Sequence, residues 1–100
     1  MINILFADDH QIVVDGLKSL LEEDMQCVGE ANDGHQVMDL LKETTPHVVV
    51  LDIEMPGMNG IDTMIKIREE YPEIKVLILS MHSGHQFITR LLRAGANGYI

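Results

Sequence analysis

Two aspartates stand together at the end of one apolar run, and a third stands at the end of another. Asp8 and Asp9 follow Ile4-Leu5-Phe6-Ala7, Asp52 follows Val48 to Leu51, and a serine, Ser80, follows Val76 to Leu79. Short runs that are apolar throughout, rather than alternating, have the pattern of strands covered on both faces. Parallel α/β sheets bind ligands at the carboxyl ends of their strands, near the point where strand order reverses. With the first and third strands adjacent, three carboxylates would meet in one crevice. Like charges that close raise one another's pKa unless a cation lies among them. Oxygen donors suit a hard divalent ion, and Mg²⁺ typically takes one or two carboxylates and keeps several waters. That leaves room for a phosphoryl oxygen. Taken singly, each aspartate has a plainer reading, since an acid at a strand-to-helix junction is often a helix N-cap and Asp9 is placed to be one. A solvated loop, however, has no need to gather three like charges.

The elements that must position these groups are visible in the hydrophobic period. Besides the three strong runs, Cys27 to Ala31 is a weaker strand candidate and Asn97 to Ile100 a fifth. Between them lie sets with helical spacing: Val13, Leu17, Leu20 and Leu21; Val37, Leu40 and Leu41; Ile61, Met64 and Ile65; Ile88, Leu91 and Leu92. Each follows the i, i+3, i+4 rule that places side chains on one helix face. Pro46 and Pro72 fall where the second and third helices should already have ended. Ser83 and Gln86 match a capping box for the fourth helix, and Gly95 is placed to end it in the left-handed conformation. Gly16 inside the first helix costs about 1 kcal/mol relative to alanine. The order β-α-β-α-β-α-β-α-β favours a parallel sheet with right-handed crossovers. A five-stranded doubly wound sheet needs helices on both faces, so four helices leave a patch of sheet without cover and the chain is expected to be cut short.

Composition narrows the class. One hundred residues make one domain, 1–100, and 46% of them are hydrophobic, enough for a core. Charged residues are 23% of the chain, an ordinary share for a globular domain, which argues against disorder. No apolar run exceeds four residues, far short of a membrane span, and the N-terminus has neither a basic segment nor a cleavage site. The lone Cys27 excludes an internal disulfide framework and fits a reducing cytoplasm. A net charge of −9 argues against this segment itself gripping nucleic acid or anionic lipid.

Four strings of residues carry a family resemblance: Phe6-Ala7-Asp8-Asp9-His10, Leu51-Asp52-Ile53-Glu54-Met55-Pro56-Gly57-Met58-Asn59-Gly60, Leu79-Ser80-Met81-His82 and Ala94-Gly95-Ala96-Asn97-Gly98-Tyr99. In order and spacing they resemble bacterial response-regulator receiver domains of two-component systems. They are most similar to the subfamily whose receivers precede a LuxR-type (NarL/FixJ-like) helix-turn-helix output domain. The resemblance implies the flavodoxin-like (CheY-like) α/β fold, a doubly wound parallel sheet in the order 2-1-3-4-5, here cut within strand five and without the last helix. It makes Asp52 the phosphoacceptor, attacking the phosphohistidine of a sensor histidine kinase to give an aspartyl phosphate. Asp9 and Asp52 would ligate Mg²⁺ directly, Asp8 largely through water, and the main-chain carbonyl of Glu54 would complete the protein's share. Met55-Pro56-Gly57 would form the tight turn beside the nucleophile. The Ser80 hydroxyl would turn to the new phosphoryl oxygen and Tyr99 would swing inward, a switch driven by added charge. Such a domain is a signalling switch rather than a metabolic enzyme, though it assists its own phosphoryl transfer and dephosphorylation. It would control transcription through a DNA-binding output domain absent from these residues. The family's lysine beyond the strand-five aromatic is not reached by Ile100.

Three other readings remain at this point. An aspartyl-phosphate phosphatase of the haloacid dehalogenase type wants Asp-x-Asp after strand one, and the position two after Asp8 is His10. A nucleotide-binding module would want a Gly-rich phosphate loop where the carboxylates stand. An interaction module, a homodimer or element-swapped oligomer joined through the uncovered sheet, is compatible with the receiver reading. His82 and His85 have a spacing seen in metal sites but no third soft ligand. His10 reads as a first-turn surface histidine that could tune the pocket, His35 and His47 as loop residues, and Cys27 as a small buried hydrophobe.

Overall fold

A computed structural model of the chain describes residues 1–54, 60–79 and 85–99, with the backbone only at 85–88, 90 and 99. In chain order the elements are β1 (Ile2–Ala7), α1 (Gln11–Lys18), β2 (Met25–Ala31), α2 (Gly34–Glu43), β3 (Val48–Asp52), α3 (Gly60–Glu70), β4 (Lys75–Leu79), α4 (His85–Ala94) and β5 (Gly98–Tyr99). The strands form one sheet in the order β2-β1-β3-β4-β5, and every pairing is parallel. This is the flavodoxin-like arrangement, with strand order reversing between β1 and β3.

Both faces of the central strands are buried, which is why their sequences are apolar without alternation. Leu5, Ala7, Val49, Leu51, Val76 and Ile78 point to one side and pack against Val37 and Leu41 of α2, Met64 and Ile67 of α3, and Leu91 of α4. Ile4, Phe6 and Val50 point to the other, where α1 contributes Val14, Leu17 and Leu21. Leu77 and Leu79 lie on this second side and are only half-buried.

Helix α1 corrects the expected face. Val14 is 2% exposed while Val13 is 38% and Leu20 75% exposed. Three consecutive apolar residues, Ile12-Val13-Val14, let periodicity choose the wrong one. The helix also stops at Lys18, where the Ser19 hydroxyl donates to the Gly16 carbonyl at 2.6 Å. Leu20 and Leu21 then donate to carbonyls three residues back, so the tightened turn sends Leu20 outward and keeps Leu21 on the core. Strand β2 starts two residues before the expected Cys27, and its register with β1 slips between Ile4–Cys27 and Leu5–Gly29. Val28 is the extra residue of that irregularity, a device that bends an edge strand away from foreign pairing.

Gly95 ends α4 at φ +125°, the positive-φ backbone expected of it. Its lack of a side chain is also a packing requirement, because a Cβ there would lie 2.4 Å from Arg68 Cγ. The Ser83–Gln86 capping box and the Met55-Pro56-Gly57 turn lie outside the described residues.

Candidate functional site

The register of β1 against β3 builds the site. Ala7 pairs with Leu51 as the last matched pair, so Asp8 and Asp52 each come one residue later at the same edge of the sheet. Asp8 is held there by its own N–H, which donates to the Ala31 carbonyl of β2 at 3.0 Å. Asp52 is still in β3 and pairs with Leu79 of β4. Its Oδ1 accepts from the Glu54 N–H at 3.0 Å, which fixes the carboxylate across the turn that follows. Gly60, the first residue of α3, donates to the Ile53 carbonyl at 3.1 Å and brings the chain back against the end of β3. A Cβ on Gly60 would sit 2.5 Å from the Asp52 carbonyl oxygen and 2.5 Å from Ile53 Cα. Only glycine admits this approach.

Asp8, Asp9, His10 and Asp52 each bring one donor atom into a group whose members lie within 4.8 Å of one another. Asp8 and Asp52 are buried, whereas the Asp9 side chain is about one-third exposed. Burial first, and then the charges of Asp8 and Asp9, push the Asp52 carboxyl up from 3.8 to about 6, against the opposing pull of the Glu54 N–H. Asp9 does not cap α1, as its position had suggested. The N-cap is His10, whose own side chain makes no cap bond.

His10, read from the sequence as a first-turn surface histidine that could tune the pocket, leans directly over it. Its N–H donates to Asp8 Oδ1 at 2.8 Å, and its Nδ1 lies 2.9 Å from the same oxygen, 3.0 Å from Asp9 Oδ1 and 3.9 Å from Asp52 Oδ2. The bond to Asp8 and the charge of Asp9 raise the imidazole pKa. The only signal in the sequence was its place directly after two acids at a strand end.

Three carboxylates on one edge, one of them driven toward its neutral form by burial and by its neighbours, are a donor set with excess negative charge. Such a set fits a hard divalent cation. Glu54 follows on the exposed side of the turn. Ser80 lies outside the described residues. Tyr99 pairs through its backbone with Ile78 in β5, and its side chain lies outside the described atoms. His82 and the side chain of His85 lie outside them too. Among the described residues no helix is long and apolar enough to cross a membrane.

Comparison with known proteins adds an independent finding. The family profile of the response regulator receiver domain matches residues 4–100. The chain is 36% identical over 101 residues to the transcriptional regulatory protein DegU of Brevibacillus brevis, covering 99% of this chain and 43% of that one. It is 38% identical over 102 residues to the response regulator GacA of Pseudomonas aeruginosa, covering all of this chain and 48% of that one. It therefore spans a little under half the length of these curated relatives. Among solved structures, a LuxR-family two-component response regulator from Aurantimonas sp. SI85-9A1 superposes with a TM-score of 0.89 at 38% identity, over 97% of this chain and 71% of that one.

Proposed function

The chain belongs to the response-regulator receiver domain family of two-component systems, and on that premise we propose that it accepts a phosphoryl group on Asp52, assisted by Mg²⁺ in the pocket of Asp8, Asp9 and Asp52. The observation that carries this reading is the convergence of those carboxylates at the ends of β1 and β3. An anionic nucleophile approaches an anionic phosphoryl group only where charge is neutralised, and in phosphoryl transfer positioning and electrostatics supply nearly all of the catalysis. When bound, Mg²⁺ supplies that neutralisation. Asp9 and Asp52, with Asp8 beside them and the Glu54 main-chain carbonyl, would hold it.

Asp52 supplies the nucleophilic oxygen. An O–P bond forms to its carboxylate as the P–N bond of the kinase phosphohistidine breaks, and the departing imidazole takes up a proton. The Glu54 N–H holds Oδ1 so that the carboxylate keeps one orientation. Gly60 holds the chain on either side of the turn in place. In the reading carried over from the family, Ser80 donates to the new phosphoryl oxygen and Tyr99 turns inward to report it.

The wider assignment follows the same lines. Residues 1–100 form the receiver of a cytoplasmic transcription regulator, phosphorylated by a sensor histidine kinase. The regulator pairs with a second copy of itself and meets DNA only through a LuxR-type output domain. The relatives that match are themselves named as transcriptional and response regulators. The test is phosphorylation by acetyl phosphate with and without Mg²⁺. Modification that needs the ion and is lost in Asp52→Asn supports the proposal, and modification indifferent to both overturns it.

A further inference from the structure

Resting on the metal pocket proposed above, we propose that His10 is an additional ligand of that pocket through Nδ1. The site thereby becomes a mixed nitrogen–oxygen set that favours borderline transition ions such as Co²⁺ over Mg²⁺.

Ligand atoms held about 2.1 Å from one octahedral ion lie about 3.0 Å apart when adjacent and about 4.2 Å when opposite. His10 Nδ1 stands 2.9 Å from Asp8 Oδ1, 3.0 Å from Asp9 Oδ1 and 3.9 Å from Asp52 Oδ2. The separations from Asp9 and Asp52 are compatible with the nitrogen sharing one ion with those two carboxylates.

In the metal-free chain the pose is set by polar contacts of His10 to the acids that a bound ion could replace. The His10 side chain is 65% exposed, so packing does not turn it inward, and it makes no cap bond to α1. The residue is fixed by its own N–H, bonded to Asp8 Oδ1 at 2.8 Å, and by Nδ1 against Asp8 and Asp9, which together lean the ring over the acids. Coordination replaces the contacts between Nδ1 and the acids with a nitrogen–metal bond, and the Nδ1 proton passes to water.

Imidazole nitrogen suits Co²⁺, Ni²⁺ and Zn²⁺, whereas Mg²⁺ prefers oxygen and keeps its water. An all-oxygen pocket discriminates between these ions less than one that adds an imidazole. His10 would therefore set which ion the site prefers without being needed for Mg²⁺.

The test is calorimetric competition of Co²⁺ against Mg²⁺ on the metal-free chain, its His10→Ala variant and its Asp9→Asn variant. Competition confines the signal to one site, which matters because four other histidines are present. The exposed, uncapping His10 side chain can be removed without unfolding the domain. The expected result is that His10→Ala lowers the preference for Co²⁺ over Mg²⁺ at least tenfold while Mg²⁺ binding holds or tightens. A smaller change in that preference would overturn the proposal, including the case in which all ions tighten equally because His10 merely occupied the pocket. Asp9→Asn separates the two levels. If it loses both ions while His10→Ala leaves the preference intact, only the His10 ligand is wrong. If it keeps both, the metal pocket itself is wrong and His10 falls with it.

Discussion

Gly60 begins α3 so close to Asp52 that a single added carbon would lie 2.5 Å from the Asp52 carbonyl oxygen. The end of β3 and the start of α3 are in backbone contact, and the Gly60 N–H donates to the Ile53 carbonyl. Because the obstacle is backbone and not a movable side chain, Gly60→Ala must push the helix or the strand aside. Overpacking of this kind costs about 1–3 kcal/mol. Urea unfolding of Gly60→Ala should show that loss, together with slower phosphorylation of the displaced Asp52. A variant as stable and as reactive as the parent would refute the contact.

Asp52 makes the metal-free protein less stable than it could be. Burial raises its folded pKa from 3.8 to about 6, so the native state holds this proton more tightly than the unfolded chain does. The group's stabilising contribution is full below about pH 4 and is lost as pH rises through about 6. At pH 7.5 without metal, Asp52→Asn should therefore be more stable by about 1–2 kcal/mol, the upper bound from a two-unit shift being reduced for solvent screening. The gap between parent and variant should close toward pH 4. Added Mg²⁺ should raise the parent's unfolding midpoint far more than the variant's. Equal stability across this range would contradict the burial argument.

Gly16 stands in the opposite situation to Gly60. A Cβ there meets nothing within 4 Å, and the residue lies inside α1. Gly16→Ala should add about 0.5–1 kcal/mol by helix propensity and leave phosphorylation untouched.

Arg68 crosses beneath Gly95, and its Nε and Nη2 are buried without a hydrogen-bond partner among the described residues. Its Nη1 reaches the Pro72 carbonyl only at 3.5 Å. Unpaired buried donors cost stability, while the aliphatic stem of the residue packs well. Arg68→Met should keep the packing and add about 1 kcal/mol in thermal or urea unfolding. Gly95→Ala should cost about 1–3 kcal/mol through its positive φ alone. Part of the Gly95→Ala cost should persist when Arg68 is trimmed, because the backbone strain does not depend on the neighbour.

The order of elements and the three strand-end aspartates were legible because continuous apolar runs and helical spacing are local signals. Their parallel pairing followed from the alternation of strand and helix. Which residue of an apolar pair or triplet turns inward was not legible, as at Val13 and Val14, because adjacent hydrophobes satisfy the same period. The end of α1 was missed because it depends on a serine bonding back to Gly16 rather than on a helix breaker. His10 was underestimated for a different reason. Its neighbours in sequence were plain, but whether its ring leans toward Asp8 and Asp9 depends on a backbone bond to Asp8. Asp9 was given a capping option for the same reason, since one residue of shift decides which group caps the helix.

Phosphorylation of Asp52 stands at the centre of the proposed function. Intact mass after incubation with acetyl phosphate and Mg²⁺ tests it most directly, with the Asp52→Asn variant treated in parallel. The parent should gain a single phosphoryl increment that is absent without Mg²⁺ and absent from the variant. An increment that persists in Asp52→Asn, or a parent that stays unmodified, would contradict the phosphoacceptor assignment.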